Sequence, residues 1–190
     1  TDPDANDIVV APGYPQCQDL FAATRDRGVF RSRDGGATWA LTALDVKRTP
    51  QTDNHFTSLA LSSDYPADPT LYCGSFEGLF FSNDAGDHWL ESNVSPTRIG
   101  RHLKLSPDFP NDGVAFGATY GNPLIKTTDR GDSWQLANTN FRGVSSYSVA
   151  VSPDFVTDGI VLVGVIGGVR RSGDGGETWD PLETGPPGGP

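Results

Sequence analysis

The sequence contains no methionine and only two cysteines, Cys17 and Cys73. Two thiols are too few for a disulfide scaffold, and without a Cys-x-x-Cys spacing they make no zinc site. They fall in a turn and a strand of neighbouring segments, and the sequence leaves a bond between them open, since only Cα spacing could decide it. No stretch approaches the ~20 apolar residues of a membrane helix, and no secretory h-region is present, so no membrane insertion is expected. Cations are short as well: 14 Lys+Arg against 24 Asp+Glu gives a net charge of −10. That balance excludes a phosphate-backbone binder, whose affinity needs clustered Lys and Arg, so no nucleic acid partner is expected. Glutamate is scarce, with only Glu77, Glu91, Glu177 and Glu183. Helical periodicity is absent throughout. The missing initiator leads us to expect a processed chain or a piece of a longer one.

What the chain does have is turns, 23 Gly and 15 Pro in 190 residues, a length that normally makes one domain with its own core. It also has a repeat. Trp39, Trp89, Trp134 and Trp179 are all the tryptophans, and each closes the same octapeptide: SRDGGATW, SNDAGDHW, TTDRGDSW and SGDGGETW. A second motif precedes the last three: SSDYPAD at 62–68, SPDFPND at 106–112 and SPDFVTD at 152–158, with a degenerate counterpart, APGYPQC, at 11–17. Short apolar runs lie before, between and after these motifs. Each repeat of about 45 residues therefore reads as four short strands, which is the period of a β-propeller blade. The reading is an all-β propeller of four-stranded antiparallel blades at about 1–47, 48–95, 96–140 and 141–184, followed by a Gly/Pro linker or tail at 185–190.

In each octapeptide the side chains of Ser32 and Asp34, Ser82 and Asp84, Thr127 and Asp129, and Ser172 and Asp174 are placed to bond turn amides in place of ladder bonds. Gly36, Gly86, Gly131 and Gly176 supply a positive φ, and the Trp covers the turn while keeping a donor for a carbonyl. These octapeptides resemble Asp boxes, the repeats of the BNR or sialidase-like propeller superfamily. With the upstream S-P-D-[FY] loop, the chain is similar to bacterial photosystem II assembly-factor propellers and sortilin-type ectodomains. That resemblance implies a mostly exported class, hence an extracellular or periplasmic protein. It speaks to fold, and function has to be argued from the site.

The boxes and the S-P-D-F loops share one face of such a ring, and the irregular loops share the other. Arg25, Arg27, His55, Glu77, Arg98, Arg101, Tyr120, Asn122 and Arg142 map to that irregular face and form the candidate binding set, since rigid scaffolds carry function on loops. The exposed aromatics expected there are Phe56, Phe76, Tyr120 and Phe141. Sialidase chemistry, as the resemblance defines it, needs an Arg-Ile-Pro motif, an arginine triad and a Tyr nucleophile paired with Glu. The nearest string is Arg98-Ile99-Gly100, and Tyr14, Tyr65 and Tyr72 occupy repeat slots, leaving only Tyr120 and Tyr147. A two-carboxylate glycosidase would have Glu77 and Asp26 as its best free acids, although a solvated loop acid is the plainer reading. The loop Asp residues Asp64, Asp68, Asp108, Asp112, Asp154 and Asp158 read as turn stabilisers rather than a calcium site. No catalytic residue, cofactor or metal site is assigned.

The slot before each box holds Arg31, Phe81, Lys126 and Arg171, read as a stem packing along the blade with its charge at the edge. Strand counting leaves four blades with no strand to exchange and no cysteine link between first and last. The expectation is a larger ring completed by further sequence or another chain, with a compact four-bladed monomer as its rival. The functional expectation is a non-catalytic scaffold for protein interaction or assembly, its partner another protein or further blades. The alternative is a carbohydrate-binding or carbohydrate-cleaving propeller.

Overall fold

The computed structural model describes residues 4–44, 55–76, 78–92, 98–121, 124–137, 140 and 145–182. Four antiparallel sheets of four strands each follow one another along the chain, and within each sheet the strands lie in sequence order. The first blade comprises β1 (Ala5–Val10), β2 (Leu20–Thr24), β3 (Gly28–Ser32) and β4 (Ala40–Leu41); the second, β5 (Phe56–Leu61), β6 (Leu71–Ser75), β7 (Leu79–Ser82) and β8 (Leu90–Glu91). The third comprises β9 (Arg98–Leu105), β10 (Ala115–Tyr120), β11 (Ile125–Thr127) and β12 (Gln135–Leu136); the fourth, β13 (Ser146–Val151), β14 (Val161–Val165), β15 (Gly168–Ser172) and β16 (Asp180–Pro181). The Gly/Pro tail at 185–190 lies outside the described residues.

Period-2 alternation in these strands puts apolar side chains on both faces of a blade, because each inner blade is packed from both sides. In the second blade the row Leu59, Cys73, Phe80 faces the first blade, and the row Ala60, Tyr72, Phe81 faces the third. Three such cores join the four blades in sequence. Among the described elements, no strand of blade four packs extensively on a strand of blade one. Phe56, expected at the binding face, belongs instead to the first of these cores and is 2% exposed. It opens β5 opposite Ser75, and the register shift between Phe56 and Ser58 turns its side chain into that core. Cys17 and Cys73 are both free thiols, and burial pushes the Cys73 thiol well up.

Two helical turns that no periodicity announced form in the S-P-D-F loops: α1 (Phe109–Asp112) and α2 (Phe155–Asp158). Four residues are too few to show a 3.6 period, and the turns close locally. Asp112 and Asp158 accept the amides of Val114 and Ile160 at 2.8 Å, while Ser106 and Ser152 donate to the same carboxylates. These Asp side chains are thus engaged as turn fasteners.

The octapeptides fold as clasps between the third and fourth strands. Ser32 Oγ accepts Gly36 N–H at 2.8 Å and donates to Asp34, which in turn accepts the amide and hydroxyl of Thr38 at 2.8 and 2.6 Å. The same pattern holds at Ser82/Asp84, Thr127/Asp129 and Ser172/Asp174. The final glycines have φ between +87° and +95°. At Gly176 a Cβ would also sit 2.9 Å from the Phe116 ring, so close approach adds to the conformational demand there. Trp39 and Trp179 donate to the carbonyls of Gly36 and Gly176, whereas Trp89 donates to Thr42 Oγ1 of the preceding blade. The indole N–H of Trp134 is buried with no acceptor among the described residues. Burial follows the neighbouring blade and not the indole bond. Trp179, pressed on blade three, is 1% exposed, and Trp39, with no preceding blade among the described residues, is 39% exposed.

Two expectations follow. Trp179→Ala removes a buried indole and costs ~3–5 kcal/mol, whereas Trp39→Ala costs about 1 kcal/mol, the usual scale of a partly exposed site. Chemical denaturation of the two variants, at a dilution where the species in solution is a single chain, measures the gap, and equal losses there would remove the joint-packing role assigned to the tryptophans. The second concerns acid. The Thr38 hydroxyl and amide, with Ser32, hold Asp34 at about 2 against an ordinary 3.8. Burial pushes Asp174 up, but the bonds from Thr178 and Ser172 more than offset it and bring it to about 2 as well. A carboxylate depressed in the folded chain stabilises fully above its unfolded value and loses that contribution as pH falls toward its folded value. Melting temperature should therefore hold down to about pH 4 and drop between about pH 4 and 2. Asp174→Asn should lessen that drop, and an unchanged acid profile would refute the clasp as its source.

Candidate functional site

At the ends of the strands opposite the clasps, an open cavity of about 570 Å³ is lined by Asn6, Arg25, His55, Thr57, Phe76, Arg101, Tyr120 and Tyr147. Repeat geometry builds it. Asn6, Thr57, Arg101 and Tyr147 are the same position in the first strand of each blade, one residue before Asp7, Ser58, His102 and Ser148. Those four pair with Ala23, Gly74, Ala118 and Gly164 in the second strands. At this point the register of every first strand shifts. A bulge leaves a residue out of the ladder and re-aims its side chain, so each blade presents one residue to the same mouth. Arg25, Phe76 and Tyr120 form a second matching tier just past or at the end of the second strands.

The chemistry of the site is cationic and aromatic. The Arg101 guanidinium carbon lies 4.1 Å from the Tyr147 ring centroid and 5.1 Å from that of Tyr120, within cation–π reach of both. Arg25 Nε donates to His55 Nε2 at 2.9 Å, which fixes that nitrogen as an acceptor. The His55 ring meets Phe76 edge-on at 5.1 Å. Tyr120 and Tyr147 remain 57% and 45% exposed, so their rings are available to a ligand. Such a surface offers positive charge on preset planes.

Of the residues expected at the binding face, Arg25, His55, Arg101 and Tyr120 come together here. Arg27 is exposed on the turn between β2 and β3, where its amide donates to Thr24 Oγ1, and it does not line the cavity. Arg98 opens β9. Glu77, Asn122, Arg142 and Phe141 lie outside the described residues. Asn6, Thr57 and Tyr147 were not in the expected set, although aligning the repeats by column would have placed them beside Arg101. Glu177 is committed to an ion pair with Lys126 at 2.7 Å. Asp26 is exposed on the same turn as Arg27.

No protein-family model matches the chain, and no curated protein matches it. Solved structures do. An ancestral GH74 enzyme matches with a TM-score of 0.75 and 19% identity over 95% of this chain and 25% of its own. The GH74 xyloglucanase from Xanthomonas campestris matches at 0.68 and 23% identity, over 92% of this chain and 29% of its own. YCF48 from Cyanidioschyzon merolae matches at 0.67 and 19% identity, over 95% of this chain and 56% of its own. A YCF48 bound to a D1 peptide matches at 0.58 and 16% identity, over 95% and 68%. Together with the four antiparallel four-stranded sheets, these likenesses decide the architecture. The fold is a β-propeller. The chain spans about a quarter to under a third of the GH74 enzymes' length, and at these identities the likeness is one of fold.

Proposed function

We infer that this Asp-box propeller is a non-catalytic scaffold that docks a segment of another protein at the mouth opposite its clasps. One observation carries the reading: Arg101 held against Tyr120 and Tyr147, with Arg25 and His55 across the same cavity. On a chain of net charge −10, a cationic and aromatic mouth is a local reversal of sign, and it suits an acidic peptide by charge and by planar contact. Arginine with tyrosine is also the composition of energetic centres in protein interfaces. That a similarly folded YCF48 is bound to a D1 peptide supports a protein ligand.

The second reading is carbohydrate. Phe76, Tyr120 and Tyr147 offer exposed rings that sugars can stack on, and the GH74 likenesses favour it. The two readings separate in one experiment. Fluorescent acidic, neutral and basic peptides, and a neutral oligosaccharide, are titrated against the parent chain and against Arg101→Ala and Tyr147→Ala. Acidic peptides should bind preferentially and weaken about tenfold or more in both variants, the loss of an interface centre. Tyr147 is exposed and Arg101 half-buried, and neither belongs to an apolar core, so the variants should keep parental stability within about 1 kcal/mol. Turnover of a chromogenic glycoside that is lost in Glu77→Gln or Asp26→Asn but kept in Glu91→Gln would replace the scaffold with a glycosidase.

A further inference from the structure

The three joints between blades repeat the same contacts. At the first joint Asp7 accepts the amide of Leu59 at 2.7 Å, Phe21 meets Tyr65 edge-on at 5.9 Å, and Arg31 donates to the Tyr65 hydroxyl and the Ala85 carbonyl. At the second, Ser58 accepts the amide of Leu103 at 2.9 Å and Tyr72 meets Phe109 edge-on at 5.9 Å. Here Phe81 fills the cationic slot and packs into the joint's core. At the third, His102 accepts the amide of Val149 at 3.1 Å, Phe116 meets Phe155 at 5.8 Å, and Lys126 reaches Glu177 at 2.7 Å. Every joint thus takes a first-strand acceptor, a second-strand apolar side chain and a third-strand slot residue from one blade. The next blade supplies a first-strand amide, the aromatic of its S-P-D-[FY] loop and one group of its box: the Ala85 carbonyl at the first joint, the Arg130 carbonyl, which takes the Tyr72 hydroxyl, at the second, and the Glu177 carboxylate at the third.

Blade four carries the giving half at the same register positions: Ser148, Leu162 and Arg171. Ser148 and Arg171 are exposed there, and Leu162 is half-buried. Blade one carries the receiving half, with Ile8, Tyr14 and Trp39 at 53%, 51% and 39% exposure. Their counterparts inside joints, Leu59, Tyr65 and Trp179, are at 2%, 4% and 1%. Val10 adds a further apolar side chain to that face at 50%. The same chain therefore displays both halves of one joint and, among the described elements, does not bring them extensively together.

We propose that a second copy of this chain completes the joint, blade one of each copy seating on blade four of the other to close an eight-bladed ring. Ser148 accepts the Ile8 amide of the other copy, Leu162 packs beneath its Tyr14, and Arg171 takes the hydroxyl of Tyr14 and the carbonyl of Gly35. A head-to-tail contact between identical chains closes when its rotation divides a circle. Two arcs of four blades give eight, within the range propellers adopt. Burying Ile8, Val10, Tyr14 and Trp39 removes an apolar patch of the kind that marks an interaction site.

Sedimentation and light scattering on the 190-residue chain test this without any variant: the expected species has twice the 20.2 kDa chain mass. Diluting the dimer should red-shift tryptophan emission as Trp39 returns to water. Arg171→Glu and Tyr14→Ala should each weaken dimerisation by about tenfold or more, while Arg27→Glu, on the loop face, leaves it unchanged. A single-chain mass at every concentration overturns the proposal. When that monomer also binds a hydrophobic dye, the two faces belong to blades of another origin. An open ladder of masses overturns ring closure, and dimerisation indifferent to both Arg171→Glu and Tyr14→Ala overturns the joint. Peptide binding at Arg101 is read separately, on the opposite side of the blades from the clasps.

Discussion

The structure depends on one constraint: a four-stranded sheet that is apolar on both faces cannot be stable alone. The second blade makes the point, with Leu59, Leu71 and Phe80 buried on one side and Ala60, Tyr72 and Leu79 on the other. Two-sided burial of this kind excludes water only if a sheet stands on each side, so stability accrues by stacking neighbours. The joint is therefore the unit of energy here, and the blade is the unit of sequence. The clasps serve both. Each fastens a tight turn with side-chain oxygens, and those of blades two to four also send a Trp and a Gly against the preceding blade.

The polar contacts at the joints are the less replaceable part. Apolar rows tolerate exchange of one aliphatic residue for another, but an inner-strand amide facing away from its ladder partner needs an acceptor. Asp7, Ser58 and His102 fill that need with three different chemistries at one position. For His102, burial and the charge of Lys104 hold the imidazole below its ordinary value, which keeps the accepting form. Register is thereby pinned blade by blade, and a slip of one residue would exchange the joint residue for the cavity residue beside it.

Much of the fold was legible in the sequence because the repeat states it four times. The octapeptides announced the clasps, their positive φ and the sheet order, since their Ser, Asp and Gly have few other physical uses at that spacing. Less legible was anything that depends on which blade stands next to which. Arg31 and Lys126 read as residues packing within a blade, yet both reach across to the next one. Phe56 read as an exposed aromatic because a single strand end carries no sign of the turn that buries it. At the site, loop position pointed to Arg25, His55, Arg101 and Tyr120. Asn6, Thr57 and Tyr147 escaped because a bulge aims them, and four different residues in one column show no common chemistry to the eye.

That column has a physical consequence. Along the first strands of blades one to three, the residue that holds the joint and the residue that lines the cavity are adjacent: Asp7 beside Asn6, Ser58 beside Thr57, His102 beside Arg101. Neighbouring strand residues point to different sides, so one strand serves the joint and the cavity without sharing a side chain. The joint bond then fixes the backbone from which the cavity residue projects. Arg101 lies against Tyr147, a residue of the next blade, directly beside the bond by which His102 ties β9 to the amide of Val149. The cavity is thus as well ordered as the joints beneath it. Its chemistry can change one residue per blade while the clasps and joints stay constant, which is how a uniform repeat comes to carry a non-uniform site.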